Sequence, residues 1–149
     1  MSHEPRIPSD PEYVRAVGQA HYNFTYLEWG VVWTIAKLSA DGFGSVPSGE
    51  PAGRIARALI LSIDSTTPPL PRALRARLVK VHERFLGAIR VRNKLLHAHP
   101  YTADGGAQRL GSPGLQWPRE RVDEAAVLFE DLAVEVLDVF HGDLASARP

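Results

Sequence analysis

From Pro11 to about Leu38 the apolar residues Val14, Val17, Phe24, Leu27, Val31, Ile35 and Leu38 recur at three- and four-residue spacing. With Ser9 or Asp10 as cap and Pro11 in the first turn, this pattern predicts a long first helix. A second stripe, Tyr22, Tyr26, Trp29 and Trp33, has the same period but runs about two residues out of phase. Apolar material therefore covers more than one face, and such a helix wants two neighbours. Three uses fit the stripe: all four aromatics fill one core, part of the stripe forms a subunit interface, or the rings stack on nucleobases.

Downstream, DGFGSVPSG (41–49) reads as a loop, and Glu50-Pro51 opens a short second helix carrying Ile55, Leu59, Ile60 and Ile63 that ends near Asp64. The connector STTPPLP is too rich in proline for helix or strand. Leu74, Leu78, Val81, Phe85, Ala88, Arg92 and Leu95 then trace one stripe of a third helix. That helix ends close to His97, because Pro100 disfavours helical geometry at His99. Between Tyr101 and Trp117, the turn signals Asp104-Gly105-Gly106 and Ser112-Pro113-Gly114 predict a small hairpin or ordered loop. Pro118 opens a fourth helix with Val122, Ala126, Phe129, Leu132, Val136 and Phe140 in register, before HGDLASARP frays. The expected fold is all-α: an antiparallel four-helix up-and-down bundle with a loop or small hairpin insert at about residues 100–118. It is expected to form one domain over residues 11–146, behind a flexible tail of residues 1–10.

A length of 149 residues suits a single domain, and 44% hydrophobic with 23% charged residues is the balance of a globular protein. The absence of cysteine removes disulfides, thiolate metal sites and a cysteine nucleophile, and fits a cytoplasmic location. MSHEPRIPSDP carries prolines and charges where a secretory signal would be apolar, and no long apolar run follows, so neither export nor a membrane span is expected. The formal net charge is zero, yet its distribution is uneven. Residues 72–94 hold eight Arg or Lys against Glu83 alone, and residues 120–143 hold eight acids against Arg121 alone. These faces can pair with each other or with water, or the basic one can face phosphate.

Side chains with chemistry are densest in RVRNKLLHAHPY (90–101). On a helix Arg90, Asn93, Lys94 and His97 share a face, whereas Arg92 and His97, five apart, are splayed by roughly 140°. His97 sits where the helix dipole favours a cation, and a basic last turn with a histidine is also ordinary helix-end design. Histidine beside guanidinium and amide donors suits phosphoryl chemistry, the imidazole moving a proton and the arginine steadying charge on phosphate oxygens. Glu28 on the first helix either orients Arg92 or is a rim carboxylate. His82, His97 and His99 lack the carboxylate or cysteine that would complete a ligand set, so no metal is expected. No phosphate-cradling glycine motif and no GxSxG motif occurs, so neither a nucleotide cofactor nor a serine hydrolase is expected. Ser45, Ser48 and Ser112 are explained as loop residues.

The run Arg92-Asn93-Lys94-Leu95-Leu96-His97, near the end of the third helix of a small helical chain, resembles the HEPN superfamily. Its hallmark is an arginine, four to six residues, then a histidine, very often with asparagine directly after the arginine. The resemblance implies an up-and-down helical bundle that dimerises and acts as a metal-independent endoribonuclease in toxin, antiphage or RNA-processing systems. Arg92 and His97 would be the catalytic pair, with Asn93, His99, Tyr101 and Glu28 auxiliary and Arg90, Lys94 and Arg84 on the RNA backbone. Two subunits would face their motifs across a homodimer, and an antitoxin or other regulatory protein is a further implied partner. In the toxin branch paired with a nucleotidyltransferase a tyrosine stands two residues after the histidine; here His99 holds that place and Tyr101 follows two later. A non-catalytic helical interaction or scaffold module, binding a protein or nucleotide, is the alternative.

Overall fold

The structure, a computed structural model, describes residues 4–45 and 49–148. Residues 1–3 of the expected tail, and Ser48 of the first loop, lie outside the described residues. Helix α1 spans Pro11–Leu38, as the apolar spacing predicts. Asp10 is its cap, accepting hydrogen bonds from the backbone N–H groups of Glu12 and Tyr13 at 3.1 and 3.3 Å, while Pro11 occupies a position that needs no donor. Asp10 also receives Arg109 Nη1 at 3.0 Å. The Arg109 hydrogen bond, then the Tyr13 amide, hold the Asp10 carboxyl below its ordinary value. The last residue of the expected flexible tail is therefore tied down.

Helices α2 (Ala52–Ser65), α3 (Arg72–Leu96) and α4 (Arg119–Val139) follow the predicted pattern closely. All four helices feed one core, with Phe24, Leu27 and Ile35 from α1, Ile55 and Leu59 from α2, Leu78 and Phe85 from α3, and Phe129 and Leu132 from α4. Their directions follow from residue pairs. Asn23 donates to the Ala126 carbonyl at 3.0 Å, Phe24 packs on Phe129 and Trp33 on Phe140, so α1 and α4 run the same way. Arg77 pairs with Asp143 and Arg84 with Glu135, so α3 runs opposite to α4. Strict up-down-up-down alternation, which would make α1 and α4 antiparallel, is thus corrected. Gly30 lets α1 and α4 meet closely, since a Cβ there would lie 3.1 Å from Val136 Cγ1.

The all-α expectation holds only for the helical part. The insert is a three-stranded antiparallel sheet, β1 (His99–Thr102), β2 (Gln108–Ser112) and β3 (Leu115–Trp117), in that order. The second turn signal makes a third strand out of what the sequence reads as a hairpin. Pro113 and Gly114 form a two-residue turn, and Gly114 takes φ 74°, a conformation natural to glycine at that place after proline. Tyr13 fastens the sheet to α1: its hydroxyl donates to the Trp117 carbonyl at 2.6 Å and accepts from Leu110 N–H at 3.1 Å. The chain end is also more ordered than expected. Phe140–Leu144 continues as a π-helical turn and Ala145–Ala147 as a short helix, because Leu144 is fully buried in the core.

The aromatic stripe of α1 does not join this core. Tyr22, Tyr26, Trp29 and Trp33 remain 64, 51, 50 and 49% exposed, which overturns the reading that all four fill it. Helical geometry explains the outcome, since the stripe projects from the side of α1 opposite Phe24, Val31 and Ile35, which claim the interior. Trp29 and Trp33 instead line a groove of about 310 Å³ with Leu137 and Phe140.

Candidate active site

Arg92 belongs to the core-facing stripe of α3, so its stem lies among apolar side chains and its head reaches α1. The guanidinium carbon stands 4.6 Å from the centroid of the Phe24 ring, and Nη2 lies 3.9 Å from Glu28 Oε2. Phe24 is itself fixed, stacked on Phe85 and edge-on to Phe129 at centroid distances of 6.2 and 5.2 Å. A cation on an aromatic face, with a carboxylate at a distance too long for a hydrogen bond, is oriented yet keeps its N–H donors available. Among the described residues the Arg92 head makes no hydrogen bond.

Glu28 is therefore the residue that faces Arg92, as one of its two sequence readings expects. Burial pushes its carboxyl above the ordinary value, and the attraction of Arg92 and then of His21 only partly offsets this. A carboxyl raised in the folded state contributes stability that is fully present below its ordinary value and is lost as pH rises through the raised value. Glu28→Gln is accordingly expected to match the parent in acid and to be no less stable at neutral pH, with a flatter pH dependence between. Urea midpoints across that range check this, and a Glu28→Gln midpoint that falls below the parent only at neutral pH would overturn it.

Arg92 opens into a pocket of about 230 Å³ between Val17, Ala20 and His21 of α1, Leu95 of α3, and Pro100 and Leu110 of the sheet. His97 does not line it. The α3 helix ends there, the His97 amide donating to the Asn93 carbonyl at 3.0 Å, and the imidazole is exposed without a hydrogen bond or ion pair among the described residues. Arg92 and His97 thus flank the same helix end, and their side chains are not brought together within one chain, as the angular splay of five residues dictates. Asn93 is half-buried beside them. Arg90 and Lys94 are exposed and have no ion partner among the described residues. Arg84 differs, because it is paired with Glu135 of α4. With Arg77 on Asp143, two charges of the basic helix pair with the acidic segment as the plainer reading of the two segments expects, whereas Arg75 pairs with Asp64 of α2.

His99 and Tyr101 are not at the Arg92 pocket. On β1 they alternate with Pro100, and they line a different depression with Gly111, Pro113 and Gln116. The Tyr101 ring covers Gly111, where a Cβ would come within 2.9 Å of it. Conversely, His21 reaches the pocket although the sequence reading passed over it. The signal was available: His21 stands seven residues before Glu28, two turns along the same side of α1.

Among the described residues no three His, Asp or Glu side chains are grouped to hold a metal ion, and no helix is long and apolar enough to cross a membrane. Compared with family models, curated proteins and solved structures, the chain matches none of them.

Proposed function

We propose that the protein is a metal-independent endoribonuclease of the HEPN type, cytoplasmic, working as a homodimer in a toxin, antiphage or RNA-processing role. On this reading the helices form the HEPN bundle, and the sheet is an insertion closing one end of it. The observation that carries the reading is Arg92: a guanidinium held on Phe24 and beside Glu28, donors free, at the mouth of a pocket, with His97 and Asn93 at the same helix end. Such a cation stabilises charge growing on phosphate oxygens without having to reorganise during the reaction. The reaction is attack of an RNA 2′-oxygen on the adjacent phosphorus with departure of the 5′-oxygen, leaving a 2′,3′-cyclic phosphate. His97 moves a proton, Arg92 steadies the phosphorane, and Arg90 and Lys94 meet neighbouring phosphates. DNA lacks the nucleophile and is spared.

Incubation with single-stranded and structured RNAs in excess EDTA tests this. Cleavage to cyclic-phosphate ends, lost in Arg92→Ala and His97→Ala, is the expected result. No cleavage, or equal cleavage by both variants, would leave the non-catalytic interaction module as the better reading; the exposed aromatic groove is what favours that module.

The same groove supports the homodimer. Half-exposed Trp and Tyr side chains each offer roughly 100 Å², so the four of the stripe supply about half of the ~800 Å² that a standard interface takes from each partner. Glu28, which faces Arg92, is one residue from Trp29 and turned by about 100° from it, so on this reading Arg92 lies beside the aromatic face. A dimer on this face would bring the two sites to one seam. Trp33→Glu is expected to shift the protein to monomer in sedimentation or light scattering and to lower cleavage with it; an unchanged dimer would place the interface elsewhere. A regulatory protein such as an antitoxin is a further proposed partner.

A further inference from the structure

Transphosphorylation needs two proton transfers: the 2′-hydroxyl must lose a proton as its oxygen bonds to phosphorus, and the 5′-oxygen must gain one as its bond to phosphorus breaks. One neutral imidazole can take the first proton but cannot in the same turnover supply the second. His97 accounts for one transfer. Among the described residues the histidine that lines the Arg92 pocket is His21, whose main-chain carbonyl accepts from Thr25 Oγ1 at 3.1 Å. The imidazole is exposed and makes no hydrogen bond among the described residues, so it is free to meet a ligand. The charged groups that face it are Glu28 from its own helix and Arg92 from α3, and the sheet side of the pocket presents Pro100 and Leu110, which do not titrate. The guanidinium beside it fixes where a phosphate would sit.

We infer that His21 is the general acid of the Arg92 site, protonating the departing 5′-oxygen while the partner subunit's His97, brought to the pocket by the proposed dimer, takes the proton of the 2′-hydroxyl. The balance closes without a co-reactant. The 2′-O–P bond forms, the P–O5′ bond breaks, one proton leaves the nucleophile for the partner subunit's His97, and one passes from His21 to the leaving group; the protons then re-equilibrate with water. The pocket fits the assignment, since His21 and Arg92 are its polar lining residues while Leu95, Pro100 and Leu110 offer apolar surface for the base flanking the scissile phosphate.

This rests on the ribonuclease reading, and the test separates the two. The probes are one RNA and the same RNA with sulfur replacing the bridging 5′-oxygen at the cleaved position, a leaving group that departs without protonation. His21→Gln is expected to slow cleavage of the ordinary RNA by about 10²-fold or more and to cut the sulfur-bridged RNA at nearly the parental rate. His97→Ala and Arg92→Ala should be slow on both. His21→Asn provides a second substitution, and a melt of each variant reports whether the fold is kept. Parental cleavage of ordinary RNA by both His21 variants, or an equal loss on the two substrates, would overturn the assignment while leaving Arg92 and His97 in place. Failure of the parent to cut either RNA would overturn both this assignment and the ribonuclease reading.

Discussion

Arg92→Ala is expected to reduce RNA cleavage by roughly 10²–10³-fold, the usual cost of deleting one preorganised group that stabilises developing charge. The stability cost should be far smaller. The Glu28 contact is long and partly solvated, and stacking of a guanidinium on Phe24 is worth about 0.5–2 kcal/mol. The variant should therefore keep the parental helical signal and lose no more than that in a urea titration. Arg92→Lys sharpens the point, because an ammonium restores charge without the planar fork that donates twice to a phosphate. Its expected rate lies between those of the parent and the alanine variant. If Arg92→Ala cuts at the parental rate, Arg92 serves only to bridge α3 to α1; if it unfolds, Phe24 and Glu28 depend on the guanidinium more than their geometry indicates.

How much of this was legible beforehand depends on what kind of information each element carries. The four helices were readable because their signal is local: Val14 to Leu38 and Leu74 to Leu95 repeat with helical period, and Asp10 and Pro11 mark a start. Their relative direction was not, since Asn23 on Ala126 and Arg84 on Glu135 are pairings that no spacing announces. Short connectors suggest alternation, but the long first loop and the proline-rich connector around the short α2 leave the direction of α3 open. The sheet was half legible, its turns visible in Asp104-Gly105-Gly106 and Pro113-Gly114, while the anchoring of β2 and β3 by Tyr13 spans about a hundred residues. The site follows the same rule. The cluster at the end of α3 is contiguous and stands out, whereas the placement of His21 beside Arg92, and the withdrawal of Arg84 into an ion pair, arise from packing between helices. The aromatic stripe shows a further limit, because its period is helical whether it faces a core, a partner or solvent.

Phe129→Ala is expected to have the largest effect on stability, about 3–5 kcal/mol. The ring is fully buried on α4, sits edge-on to Phe24, and lines the Arg92 pocket. Truncation removes its apolar contacts and leaves a void that Phe24 and its neighbours fill only in part. Against a total stability of ~5–15 kcal/mol typical of such domains, this is a large fraction, and it should appear as a fall in the urea midpoint at unchanged slope. Phe129→Leu keeps most of the volume and should cost less than half as much. The variant also tests how the site is supported. Without the edge of Phe129, Phe24 loses one of the two rings that fix it, and the face beneath Arg92 becomes mobile. Cleavage should then drop even under conditions where the variant is folded, and Arg92→Ala should cost less in the Phe129→Ala background than in the parent, a non-additivity expected of groups that share one contact chain. Full additivity would mean that Arg92 is held by α3 and Glu28 alone, and that the aromatic cluster serves the core without serving the site.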